Sequence, residues 1–207
     1  MHVVEKLDLF EDESLRDVML KYSWYLLVAG MIVAGVWAFI LALVGLVDSP
    51  FLLDEIRETG LFVWLALFAF GLALSFVIHE GIHGLFFWLL GPRGAHVGFG
   101  YNASLAALYA TAPNIVYGWV PFLVILLAPS VCVSVVCMAA SMVFDAGLLW
   151  LLIFVVHLSG CAGDVLFARE ILNYRKAGNI CIMDTEVGIT IFECEAGDKK
   201  LPFVMKA

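Results

Sequence analysis

The sequence predicts an all-α polytopic membrane protein with four transmembrane helices. Small β-hairpins are expected in one interhelical loop and in the C-terminal tail. Three observations carry the prediction. The 207 residues are 63% apolar and only 14% charged. Mean hydropathy is +1.01. Four apolar segments are each long enough to cross hydrocarbon at about 1.5 Å of rise per helical residue. A soluble domain is usually about half apolar and a quarter charged, and one of this size could not bury so much apolar surface. This excludes a soluble enzyme and a disordered chain. The formal charge of −8 excludes a nucleic-acid binder, because no basic field is available to attract phosphates.

The first 23 residues are polar and acidic, without the basic start and early apolar core of a signal peptide. Leu7, Leu9 and Phe10 precede a charged stretch, and Leu15, Val18 and Met19 follow at helical spacing. The segment 1–23 therefore reads as a cytosolic amphipathic helix at the membrane surface or as a solvated helix. The apolar segments run from Trp24 to Val47, Leu61 to Leu90, Val120 to Phe144 and Leu148 to Ala168. Only Asp145, Ala146 and Gly147 separate the third from the fourth, so a tight turn would make them antiparallel neighbours. Residues 24–168 form the membrane domain and 169–207 a cytosolic tail.

The loop 91–119 carries Gly91, Pro92, Gly94, Gly98 and Gly100 and short alternating stretches. It reads either as irregular or as holding a β-hairpin or edge strand. In the tail, Ile180 and Ile182, then Val187, Ile189 and Ile191, suggest two strands around Asp184–Glu186. The cysteines are Cys132, Cys137, Cys161, Cys181 and Cys194, an odd number with no CxxC, and all five read as free thiols.

Lysine and arginine set the orientation. With both termini cytosolic, Lys6, Arg16, Lys21, Arg93, Arg169, Arg175, Lys176, Lys199, Lys200 and Lys206 lie inside and only Arg57 outside. The second and fourth spans then both descend towards the cytosol of a cell-membrane protein.

Inside the second span stands His79-Glu80-Gly81-Ile82-His83, an HExxH motif. Residues four apart on a helix share a face about 6 Å apart along the axis. Two imidazoles are thereby set side by side as metal ligands, with Glu80 close enough to take a proton from a metal-activated water. Imidazole and carboxylate groups are costly in a span, so three together imply a function.

A catalytic zinc usually takes three protein ligands. The remaining intramembrane candidates are His157 and Asp164. His79 and His83 lie about eight to twelve residues from the inner end of their helix, and Asp164 lies five residues before Arg169. These depths can coincide, whereas His157 stands seven residues further out, about 10 Å by helical rise. Asp164 is therefore the expected third ligand and His157 a neighbouring or packing residue. His96 and His2 are weaker candidates. Ser159, Gly160, Ala162 and Gly163 flank Asp164 with small side chains that let helices approach closely. The tail lacks histidine, so it is expected to contribute packing or regulation, not ligands.

HEGIHGLFF on an apolar helix, the proline-bearing LLAPS segment and HLSGCAGD together resemble the zincin-peptidase family of four-span membrane proteins, a domain of unknown function. More distantly they resemble the site-2 class of intramembrane zinc metalloproteases. The resemblance covers roughly residues 60–195. It implies a zincin-like HExxH core in which His79, His83 and Asp164 bind Zn2+ and Glu80 is the catalytic base. Site-2 proteases usually set the Asp in LDG with an upstream Asn-Pro pair, whereas this chain has GDV, and Pro129 follows alanine.

The implied function is a membrane-embedded zinc metalloprotease that hydrolyses peptide bonds of membrane or membrane-proximal proteins. Its partners are the bilayer and a membrane-protein substrate, whose helix must unwind before cleavage. An edge strand in the 97–110 region could hold the unwound peptide by strand addition, a role that proline at Val97 or Phe99 would disrupt. Two other readings compete. A metal-ion carrier or channel would need polar residues through the other spans, where the third offers only Ser130, Ser134 and Ser141. A non-catalytic zincin-like scaffold would not need the complete motif.

Overall fold

The computed structural model describes residues 2–9, 12–45, 51–103, 107–144, 146–176, 178–185, 188–194 and 204–206. Two compact units partition the chain. The first comprises Met1–Leu20, His79–Pro129 and Gly163–Ala207, the second Lys21–Ile78 and Ser130–Ala162. In chain order the elements are β1 (His2–Asp8), α1 (Glu13–Leu43), α2 (Phe51–Thr59), α3 (Leu61–Leu90), β2 (Gly98–Asn102), β3 (Ala107–Thr111), β4 (Ile115–Gly118), α4 (Trp119–Val143), α5 (Gly147–Gly160), α6 (Ala162–Arg175), β5 (Ile180–Thr185), β6 (Gly188–Glu193) and β7 (Val204–Lys206).

Three helices, α1, α3 and α4, are long and apolar enough to cross a membrane, and α5 with α6 can make a fourth, broken span. The chain is thus mostly helical with two small sheets, and the five-stranded one extends beyond the hairpins the sequence predicts. The fourth span is also not one helix. It breaks at Cys161, whose N–H bonds the carbonyls of His157 and Leu158. A new helix starts there and puts Asp164 in the first turn of α6, where the helix dipole favours a carboxylate. Val47, Phe10 and Asp145, on which three sequence expectations rested, lie outside the described residues.

In the first unit, five antiparallel strands are ordered β1-β6-β5-β4-β7. The β5–β6 hairpin is the one the alternating isoleucines predict, pairing Ile182 with Ile191 and Thr185 with Gly188. Its turn residues, Glu186 and Val187, lie outside the described residues. Ile182, Ile189 and Ile191 are almost wholly buried. The N-terminal segment corrects a second expectation. Its first part is a strand, with Leu7 opposite Ile189 on β6. Only Leu15, Val18 and Met19 lie in a helix, the start of α1, which Asp12 caps by accepting the Leu15 N–H at 3.1 Å. Gly188 is required for this pairing, because a Cβ there would collide with the Leu7 carbonyl of β1.

The 91–119 loop carries the expected hairpin, β2 with β3, pairing Phe99 with Ala110. Asn114, at φ 61°, turns the chain from β3 into β4, a conformation asparagine tolerates better than most residues. Phe99 lies over Gly84 of α3, so closely that a Cβ there would overlap its ring. Tyr117, Phe122 and Phe87 form a buried aromatic cluster with centroids 5.6–6.2 Å apart. The Tyr117 hydroxyl donates to the Phe87 carbonyl at 3.2 Å, in the last turn of α3 where carbonyls lack helical partners. The free-thiol reading is also corrected, since Cys181 and Cys194 form a disulfide across β5 and the end of β6.

The second unit turns apolar side chains outwards. Phe62, Phe70 and Val131 are each at least 60% exposed, which suits a lipid-facing surface, where helices satisfy their own backbone polar groups. Some of its polar groups are paired inside the unit, whereas the buried Ser130 Oγ has no hydrogen-bond partner among the described residues. Glu55 accepts the N–H groups of Leu148 and Leu149, capping the open N-terminus of α5, and also the Trp64 indole N–H at 2.7 Å. His157 is fully buried here, its ring centroid 5.5 Å from that of Phe76.

Candidate metal centre

His79, Glu80, His83 and Asp164 all belong to the first unit. His79 and His83 are one helical turn apart on α3, and their rings meet edge to face with centroids 4.7 Å apart. His79 Nε2 lies 3.2 Å from Asp164 Oδ2, and His83 Nε2 lies 3.5 Å from Asp164 Oδ1. Ligand atoms held tetrahedrally at 2.0–2.1 Å from zinc stand about 3.3 Å from one another. The three side chains are of donor types that zinc takes, and the two His–Asp separations match that spacing. His79 and His83 are 5% and 7% exposed, so these groups meet in a shielded place.

The orientation of His83 is set from α4. Its Nδ1–H donates to the carbonyl of Ile125 at 2.9 Å. That carbonyl is available because the residue four positions on is Pro129, which has no N–H to close the helical bond. A neutral imidazole that donates through Nδ1 carries its lone pair on Nε2, the atom facing Asp164. The proline noted in LLAPS thus has a local consequence that sequence spacing alone does not show.

Glu80 stands beside the histidines, and ligand atoms of His79, Glu80 and His83 all lie within 4.8 Å of one another. Its Oε2 accepts the Ala110 N–H at 2.8 Å. This amide points away from β2, so the outer edge of β3 faces the carboxylate. Glu80, His83 and Asp164 line a cavity of about 170 Å³ together with Asn102, Tyr109 and Asp184. An apolar cavity of about 150 Å³ suffices to admit benzene, so the space can take a side chain.

Asp184 is the residue that sequence reading left out of the site. It was visible as one turn-flanking acid, yet period-two alternation sets it on the same face of β5 as the buried Ile180 and Ile182. Burial pushes its carboxyl up to about 7, against hydrogen bonds from the Thr111 hydroxyl and the Ala112 amide and the pull of His83. The tail therefore reaches the cavity, although it supplies none of the residues at the His79–His83–Asp164 cluster. His157 lies in the second unit, and His2 and His96 stand on β1 and in the loop before β2.

No curated protein and no solved structure matches the chain. A family model described as "Putative zincin peptidase" matches residues 72–178, a stretch that holds HEGIH, Pro129 and Asp164. The match spans just over half of the sequence, and the chain belongs to this zincin-peptidase family.

Proposed function

We propose that this protein is a membrane-embedded zinc metalloprotease that cleaves peptide bonds in membrane or membrane-proximal proteins, with its termini in the cytosol. The observation that carries the reading is the meeting of His79, His83 and Asp164 at zinc-ligand spacing with Glu80 alongside. Zinc, when bound there, supplies a Lewis acid and makes a water molecule acidic enough to be deprotonated near neutral pH. The protein's own groups do the rest. His79, His83 and Asp164 would hold the ion, and the Ile125 carbonyl fixes the tautomer of His83. Glu80 takes the proton of the attacking water and returns it to the departing amine.

The outer edge of β3 offers the Ala110 amide beside Glu80. A substrate segment unwound into a strand can pair there, since strand addition needs an unpaired sheet edge. Glu80 gives up its bond to that amide when the peptide arrives and turns to the water. The edge nearest the site is that of β3, so proline at Leu108 or Ala110 is a sharper probe than at Val97 or Phe99.

The test is hydrolysis of a fluorogenic peptide library by the zinc-loaded protein in detergent. Glu80→Gln should lower turnover by at least about a hundredfold while zinc stays bound. Equal turnover in the variant overturns the assignment of the base. A carrier or channel would pass zinc into sealed vesicles with or without the acid; transport by the Glu80→Gln protein without any hydrolysis by the wild type would favour that reading.

A further inference from the structure

The cavity beside the metal cluster holds a third carboxylate that the hydrolytic mechanism does not use. Asp184 lines the same space as Glu80, His83 and Asp164. Its carboxylate is held by the Thr111 hydroxyl and the Ala112 amide of the chain after β3. Its Oδ2 is buried and has no hydrogen-bond partner among the described residues. A buried oxygen without a donor costs about 1–3 kcal/mol, and native proteins rarely keep one. One kept beside a reaction cavity is a place for a donor carried by a ligand.

The charge of the site says which donor. Glu80, Asp164 and Asp184 bring three carboxyl groups to the lining, and its described residues include no lysine or arginine. A group that brings both N–H donors and positive charge meets both needs. Thr111 is itself buried and so fixes where the carboxylate stands.

Resting on the protease reading above, we propose that Asp184 is a substrate-recognition residue that receives a lysine or arginine side chain of the peptide held at the site. The oxygen held by Thr111 and Ala112 anchors the carboxylate, and Oδ2 accepts the cationic head group. The stem of such a side chain suits the apolar walls given by Leu108, Phe167 and Ile189, since lysine and arginine bury their methylenes against apolar surface. Basic residues near the cytosolic ends of membrane helices are frequent, so such a preference places the cleaved segment at that boundary.

The probes are tripeptide hydroxamates, whose terminal group binds zinc, with lysine or its uncharged analogue norleucine at each position in turn. Binding to zinc-loaded protein is measured by calorimetry. In at least one position lysine should bind about tenfold more tightly than norleucine, the scale of one charge-assisted hydrogen bond. Asp184→Asn should erase that preference while leaving norleucine affinity and zinc content unchanged. Thr111→Val, which frees the anchored oxygen, should reduce the preference in the same direction. Equal affinity at every position, or a lysine preference that survives in Asp184→Asn, overturns the proposal and leaves the metal site intact. Failure of zinc-loaded protein to bind any hydroxamate overturns the protease reading, and this proposal with it.

Discussion

His83 and Ile125 are joined across two helices by a 2.9 Å hydrogen bond from an imidazole Nδ1–H to a backbone carbonyl. The bond exists because Pro129 cannot donate to that carbonyl. Pro129→Ala would restore the helical N–H, and the Ile125 carbonyl would turn back into its own helix. Outer groups that orient a metal-binding histidine typically affect affinity by about ten- to a hundredfold. The variant should bind zinc more weakly by that range, in competition with a chelating dye, while its thermal stability in the metal-free state is kept or raised. Unchanged zinc affinity would show that α4 does not orient His83.

Asp184 predicts a pH dependence. Its carboxyl is raised from the ordinary value of 3.8 to about 7, first by burial. Between these values the native state keeps a proton that the unfolded chain has released. Stability contributed by this group is therefore present at low pH and lost as pH rises through about 4 to 7. Asp184→Asn, which resembles the protonated acid, should lack this component of the pH dependence. Metal-free variant and wild type should match near pH 4 and diverge by on the order of 4 kcal/mol by pH 8, measured by denaturation in detergent. A constant difference would contradict the assignment.

The Cys181–Cys194 pair makes a third prediction. It links residues 13 apart, and closing a loop of that size stabilises a fold by about 3 kcal/mol in the chain-entropy account. Disulfides persist in oxidising compartments and are rare in the cytosol. If the tail is cytosolic, as proposed above, thiol trapping in intact cells should find both cysteines reduced, and purification in air should close the bridge and raise stability. A bridge already closed in growing cells would place the tail on the opposite side and reverse the orientation read from lysine and arginine.

What could be read from the sequence follows the range of the interactions. HEGIH was legible because four residues on one helix are a local spacing, and Asp164 because its depth could be counted from the charged end of its span. The β5–β6 hairpin was legible from its alternating isoleucines. The larger sheet was not, because β1 pairs with β6 and β4 with β5 across more than 60 residues of chain. His2-Val3-Val4-Glu5-Lys6-Leu7 shows no clean alternation that would separate strand from helix. The break at Cys161 was hidden inside a continuous apolar run. Asp184 was hidden by its place next to a turn, although its parity with Ile180 and Ile182 marks the buried face.

His79, His83 and Asp164 are expected to make a zinc site served by Glu80. The most direct test is zinc content of the detergent-purified protein, wild type beside Glu80→Gln, His83→Ala, Asp164→Ala and His157→Ala. One zinc per chain is expected in the wild type, retained in Glu80→Gln and His157→Ala and lost in the other two. A wild type that holds no zinc even after reconstitution, or an Asp164→Ala protein that holds it as firmly as the wild type, would contradict it.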